Sequence, residues 1–275
     1  YKSDNLINNY IKSGFPYKIK ESKILKVNKI KQNFERKGVK FTILLLDTNH
    51  SDNKTYYFQY IPTSILFEFY KNIIDLLISD KEVGVIVKSK KPIVLDNQFE
   101  VKKLFLKAEK TKRFHYVEDP FQTLPVYYSN ISKITIGIGT FISSALMECV
   151  HNNNRCIYFD YANNKNNLKD IYKKGKNKFV FNNLNQILDE IIKYKFNLND
   201  NNYLGNWSEV IHDIKSFKDN KGSARISEYI KDLKSNLDND LDKKIAINNS
   251  NNNYIKKYGN DKIIIKWKIY IILTI

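Results

Sequence analysis

The amino-acid sequence predicts an α/β fold, a doubly wound parallel sheet flanked by helices. Three observations carry this. Short apolar runs rich in β-branched residues recur at 40–47, 83–87, 134–138 and 155–159. Segments with apolar residues at helical spacing lie between them. The two kinds alternate, as they must where parallel strands are joined by crossover helices.

Taken in order, residues 1–40 are polar and lysine-rich, with Ser13-Gly14-Phe15-Pro16 as a turn. Residues 5–12 predict a short helix and 23–30 an extended segment. Lys40–Asp47 is a continuous apolar run closed by Asp-Thr-Asn, the pattern of a strand buried on both faces. Ile65, Leu66, Phe69, Ile73, Leu76 and Leu77 then fall on one helical face over 63–79, with Thr63 or Ser64 placed to cap it. A strand at 83–87 ends in Lys88-Ser89-Lys90-Lys91-Pro92, and a helix is expected over 97–109. Further strands are expected at 114–117, 134–138, 155–159 and 178–181. Helices are expected at 123–130, 141–150, 166–174, 184–194, 207–216 and 223–237. Residues 238–262 are rich in Asn, Asp and Lys and read as a flexible spacer. Ile263–Ile275 is strongly apolar, which suits a strand or helix packing elsewhere, a membrane-surface anchor, or a truncated end.

Composition narrows the function. At 275 residues and 42% hydrophobic the chain can bury a sizeable core. Two cysteines, Cys149 and Cys156, allow neither a disulfide framework nor a four-cysteine zinc site and read as small core residues. No apolar run reaches the ~18–20 residues of a membrane-spanning helix. No leader is visible, so the expected compartment is the cytoplasm. The chain starts at Tyr1 and has one methionine, Met147, so a preceding segment is expected to be missing. The net charge of +17 invites a nucleic-acid reading. Yet of 46 basic residues only Arg36, Arg113, Arg155 and Arg225 are arginines, so 42 are lysines, spread along the whole chain. Readers of bases lean on bidentate arginine. Abundant Lys, Asn, Ile and Tyr fit the bias of an AT-rich genome instead, and no specific nucleic-acid partner is expected.

The richest segment is 134–160. A strand, Ile134–Ile138, runs through Gly139 and Thr140 into a helix that opens near Ser143 and Ser144 and carries Glu148 about one turn further on. Ligands of an open parallel sheet sit beyond the carboxyl ends of its strands. Gly139 and Thr140 would let the backbone approach a ligand. Free N–H groups and the positive helix end would face an anion such as pyrophosphate. Glu148 could accept two hydrogen bonds from a ribose diol. The bland alternative is a strand-to-helix turn with serine caps. Ile142 breaks a dinucleotide fingerprint, and no Gly-Lys-Ser/Thr follows to make a phosphate-binding P-loop. Asp238-Asn239-Asp240-Leu241-Asp242 lacks the turn glycine and closing Glu of a calcium loop. The four histidines show no paired metal-ligand spacing, and Ser143-Ser144 is no Gly-x-Ser-x-Gly elbow.

This segment resembles the second domain of GT-B glycosyltransferases, particularly bacterial enzymes of surface-polysaccharide assembly. Their pattern is a strand, a Gly/Ser-rich loop, Ser-Ser/Thr-x-x-x-Glu-Ala, a turn, and a strand ending in Asp. Gly14–Ile19, Leu44–Asp47 and Val85–Lys91 resemble earlier parts of that domain. Leu204-Gly205-Asn206-Trp207 and Phe217–Ile226 resemble its closing region, so the likeness covers roughly 5–235. Cys149 stands where the family has Ala, and Asn152-Asn153-Asn154 replaces a glycine turn. The resemblance implies a Rossmann-like nucleotide-sugar-binding half of a glycosyltransferase. It implies Glu148 as ribose ligand, Thr140, Ser143 and Ser144 as diphosphate ligands, and Lys88 or Lys90 as neutralisers of leaving-group charge. Two solvated lysines are the plain alternative for the last pair. Arg225 is expected to brace two domains. The catalytic base would belong to the missing first domain and stays unassigned.

The resulting expectations are a domain at 40–237, a remnant and linker at 1–39, and a spacer with apolar tail at 238–275. The partners expected are a nucleotide-sugar donor, which is substrate and not cofactor, and a glycan or lipid-linked acceptor of capsule or a related glycan. No metal is expected. Peripheral contact with an anionic membrane, at its inner face, stays open on the charge. Two related activities stay open, a nucleotide-sugar 2-epimerase and a CDP-alditol phosphotransferase. So does a non-catalytic polyanion binder.

Overall fold

The computed structural model describes residues 10–14, 21–51, 60–90, 98–118, 123–163, 169–197, 204–214, 217, 219 and 221–264. By its contacts the chain divides into two compact units, 19–212 on the one hand and 1–18 with 213–275 on the other. This division differs from the boundaries at 39/40 and 237/238 expected above.

The first unit is built on a six-stranded sheet. Its strands are β2 (Phe41–Leu46), β3 (Val83–Lys88), β4 (Phe114–Tyr116), β5 (Ile134–Ile138), β6 (Cys156–Phe159) and β7 (Val180–Phe181). Every pairing between them is parallel, in the spatial order β4-β3-β2-β5-β6-β7. The chain starts in the middle, works outward to one edge, returns, and works outward to the other. This is the Rossmann-like order, and the expected fold class is found.

Side-chain alternation sorts the two faces. Phe41, Ile43, Leu45, Val83, Val85, Val87, Ile134 and Ile136 share one core with α2 (Thr63–Ser79), α3 (Phe99–Glu109) and α7 (Leu184–Phe196). The intervening residues serve the other face, which carries α1 (Glu21–Glu35), α4 (Pro125–Ser129) and α5 (Ser144–His151). There Gly84 lies under Phe34, Gly137 lies under Leu146, and the hydroxyls of Ser129 and Thr135 meet at 2.6 Å. Both β2 and β3 are buried along their whole length, which is why their sequences read as unbroken apolar runs. Beyond β6, α6 (Lys169–Gly175) leads to β7. The stretch Leu204–Trp207 then closes that end: Gly205, at φ +73°, accepts from the Cys156 N–H and donates to the Lys178 carbonyl. The Trp207 indole donates to the Cys156 carbonyl at 2.7 Å and packs on Phe179. Cys149 and Cys156 are buried, as expected.

Four local expectations change. Residues 23–30 are helical, within α1, because Val27 and Phe34 lie seven residues apart on its one buried stripe. The cap residue of α2 is Pro62, with no side-chain cap, and Thr63 opens the helix. Tyr10–Ile11 is a strand, β1, and the rest of the short helix expected at 5–12 lies mostly outside the described residues. The stretch read as a flexible spacer holds α10 (Lys243–Tyr258). Asp242 caps α10 by accepting the Lys244 N–H at 2.8 Å. Its buried face is Ala246, Ser250, Asn251 and Tyr254.

In the second unit α10 packs on α9 (Gly222–Asp238), which follows α8 (Ser208–Ile214) in the chain. β1 pairs antiparallel with β8 (Ile263–Ile264), so the start of the apolar tail is a strand; 265–275 lie outside the described residues. Arg225, expected to brace two domains, has its named partners within this unit. It pairs with Asp219, donates to the Ser13 carbonyl at 3.1 Å, and lies over the Phe217 ring. Among the described residues no helix is long and apolar enough to cross a membrane.

Candidate functional site

An open parallel sheet parts at its switch point, where crossovers on either side leave for opposite edges. Here that point lies between β2 and β5. Beyond the carboxyl ends of β2 and β3 is a cavity of about 270 Å³. Asp47 and Thr48 line it from the β2 exit, and Lys88, Ser89 and Lys90 from the β3 exit. Pro125, Phe141, Ser143, Ser144 and Glu148 close the opposite wall.

Five of the seven residues predicted from sequence therefore meet in one cavity: Lys88, Lys90, Ser143, Ser144 and Glu148. Lys88 ends β3, pairs in register with Leu46, and is buried, while Lys90 is exposed. Ser143 is the cap of α5, its Oγ accepting the Leu146 N–H at 3.2 Å. It thus does what the bland reading gave it, and Ser144 is left exposed as the first helical residue. The N–H groups of Ser144 and Ala145 have no carbonyl within the helix to reach, so this end of α5 presents donors and partial positive charge.

Gly139 and Thr140 are not among the lining residues, and the reason is local. A Cβ on Gly139 would come within 2.8 Å of the Phe141 carbonyl, so the glycine serves the fold of its own loop. The Tyr158 hydroxyl donates to the Gly139 carbonyl at 3.0 Å and fixes it from β6.

The two carboxylates of the cavity differ. Glu148 Oε2 is buried and makes no hydrogen bond among the described residues. Burial pushes its carboxyl up to about 7, and the Lys88 charge pulls the other way. Asp47 is saturated. Its Oδ2 accepts from the Tyr70 hydroxyl at 2.8 Å and the Ser89 hydroxyl at 2.7 Å, and its Oδ1 accepts the Lys90 N–H. Burial raises Asp47 to about 6, against the pull of those donors and of Lys88.

Sequence reasoning missed Asp47, Tyr70, Ser89 and Phe141. Asp47 was legible as the polar end of a strand, and only its position opposite Ser89 gives it a role. Phe141 is 61% exposed, an aromatic ring lining the cavity beside its lysines and Glu148.

A second cavity, of about 410 Å³, lies between α9 and α10. Within it Lys257 pairs with Glu228, and Asn253 donates to Asp232 at 3.2 Å. Among the described residues no three His, Cys, Asp or Glu side chains are grouped to hold a metal ion.

No protein-family model matches the chain. No match to it was found among the curated proteins. One solved structure with a similar fold is the C-terminal CMP-Kdo binding domain of WaaA from Acinetobacter baumannii. The identity is 11% and the TM-score 0.43, over 66% of this chain and 92% of that one. A likeness of that size carries no argument about function.

Proposed function

We propose that this chain is the donor-binding part of a glycosyltransferase, taking a nucleotide-activated sugar and serving its transfer to a glycan or lipid-linked acceptor. The observation that carries the reading is the unsatisfied Glu148 carboxyl in one cavity with Lys88, Lys90 and the start of α5. A nucleoside phosphate presents the complementary set. Its phosphates suit the lysines and the helix end, and its ribose diol offers two donors to one carboxylate. As the glycosidic bond to phosphate breaks, negative charge grows on the departing phosphate oxygen. Positive groups already in place there lower the barrier. The ordered motifs that resemble the GT-B glycosyltransferases support the same reading. The acceptor's general base is not assigned to this chain.

The test is titration of the chain with UDP, GDP, CDP, CMP and a short oligonucleotide at low and high salt. Tight binding of one nucleotide that survives salt, and is weakened at least about tenfold by Glu148→Ala, supports the reading. Unchanged affinity in Glu148→Ala overturns the site. The charge of +17 favours one second reading, a polyanion binder. It requires binding of the oligonucleotide alone, lost steeply as salt rises. The 2-epimerase alternative is separated by product analysis without an acceptor, and the CDP-alditol alternative by donor screening with CDP-alditols.

A further inference from the structure

The ladder between β2 and β3 ends at the pair Leu46–Lys88. Past it the ladder is not continued, and the residues that follow in both strands line the cavity. The next residues, Asp47 and Ser89, are joined through their side chains, and the Asp47 carboxylate also takes the backbone N–H of Lys90. A third donor, Tyr70, reaches the same carboxylate from α2 on the far side of the sheet. We propose that Asp47 is a positioning residue that sets Lys88 and Lys90 at the cavity mouth, continuing through its side chain the pairing that the ladder gives up. This rests on the donor-site reading for its purpose, though not for its geometry.

The alternative is that Asp47 meets the ligand itself. Its bonding argues against that. Both oxygens are engaged, one of them twice, and the side chain is 6% exposed. Glu148, in the same cavity, is the carboxylate with capacity to spare. A fixed negative charge beside a phosphate site is also unfavourable by itself. Its presence makes sense where the order it imposes on two lysines outweighs its repulsion of the anion.

That conflict gives the test a sign. Asp47→Asn removes the charge and one acceptor. If electrostatics alone mattered, the variant would bind an anion more tightly; if positioning matters, it binds more weakly. The probes are inorganic pyrophosphate and CMP, titrated into the full chain, with amide exchange at Lys90 followed in parallel. We expect Asp47→Asn to weaken pyrophosphate about tenfold and to speed Lys90 exchange, with Ser89→Ala and Tyr70→Phe giving smaller losses in the same direction. Equal or tighter binding with Lys90 exchange unchanged would overturn the proposal. If the parent chain binds neither probe, the donor-site reading fails, and Lys90 exchange still decides the positioning role.

Should Asp47→Asn fail to fold, the Lys90 amide of the parent chain carries the test. The groups facing the Asp47 carboxyl are Tyr70 from α2, with Tyr116 of β4 behind it, and Lys88, Ser89 and Lys90 from the β3 exit. Protonation as pH falls through about 6 weakens the acceptor, so the Lys90 amide signal should titrate there. Recording it in Glu148→Gln removes the other nearby carboxyl. A Lys90 amide that exchanges as fast as an unprotected loop amide would overturn the proposal.

Discussion

At the scale of single residues, Glu148 sets function against stability. Its carboxyl is raised from 4.5 to about 7 in the folded chain. A raised acid favours folding in its protonated form, so that stability is complete below about pH 4.5 and is lost as pH rises through about 7. Glu148→Gln abolishes the loss. We expect the variant and the parent to melt together in acid and the variant to melt higher at about pH 8, as differential scanning calorimetry across pH would show. The same variant should bind nucleotide more weakly, because the amide accepts at one atom only. Phe141 makes a separate claim. If its exposed ring receives a base, Phe141→Ala should cost about 1–3 kcal/mol of nucleotide affinity and leave inorganic pyrophosphate unchanged. Equal losses for both would mean that the ring only shapes the loop before α5.

At the scale of elements, what was legible followed from hydropathy. The parallel strands could be read because burial on both faces leaves no polar residue in Phe41–Leu46 but Thr42. The place of Ser143 and Glu148 could be read from a strand running into a helix, since the fold class places ligands there, while Lys88 came only with the family resemblance. Asp47 could not, because its meaning lies in a register 42 residues distant in sequence. α10 could not either, because its buried face is largely polar. Asn251 accepts the Tyr229 hydroxyl at 2.9 Å, and Ser250 takes the Asn236 amide at 2.9 Å. A helix docked by hydrogen bonds has the composition of a spacer. Its docking can be measured. Asn251→Ala leaves the Tyr229 hydroxyl without this acceptor and should cost about 1–3 kcal/mol in urea unfolding. A variant as stable as the parent would show that the two helices hold by Ala246 and Tyr254 alone.

At the scale of the molecule, the candidate site belongs to one unit. Each lining residue falls within 19–212, as do the six strands and the helices that cover both sheet faces. A sheet covered on both faces by its own helices has its core closed locally, and a segment of that length is of ordinary domain size. The chain closes its own sheet end as well, through Leu204–Trp207, just short of the boundary. Among the described residues, the named hydrogen-bond partners of Asp47, Ser143 and Gly139 lie within 19–212. Residues 19–212 produced alone should therefore unfold in one cooperative transition and bind whichever nucleotide the full chain binds, within about threefold, a difference of about 0.7 kcal/mol. Calorimetric titration of both forms tests this. A fragment that folds yet binds much more weakly would place part of the donor site on 213–275. A fragment that does not fold would make the terminal segments part of the core.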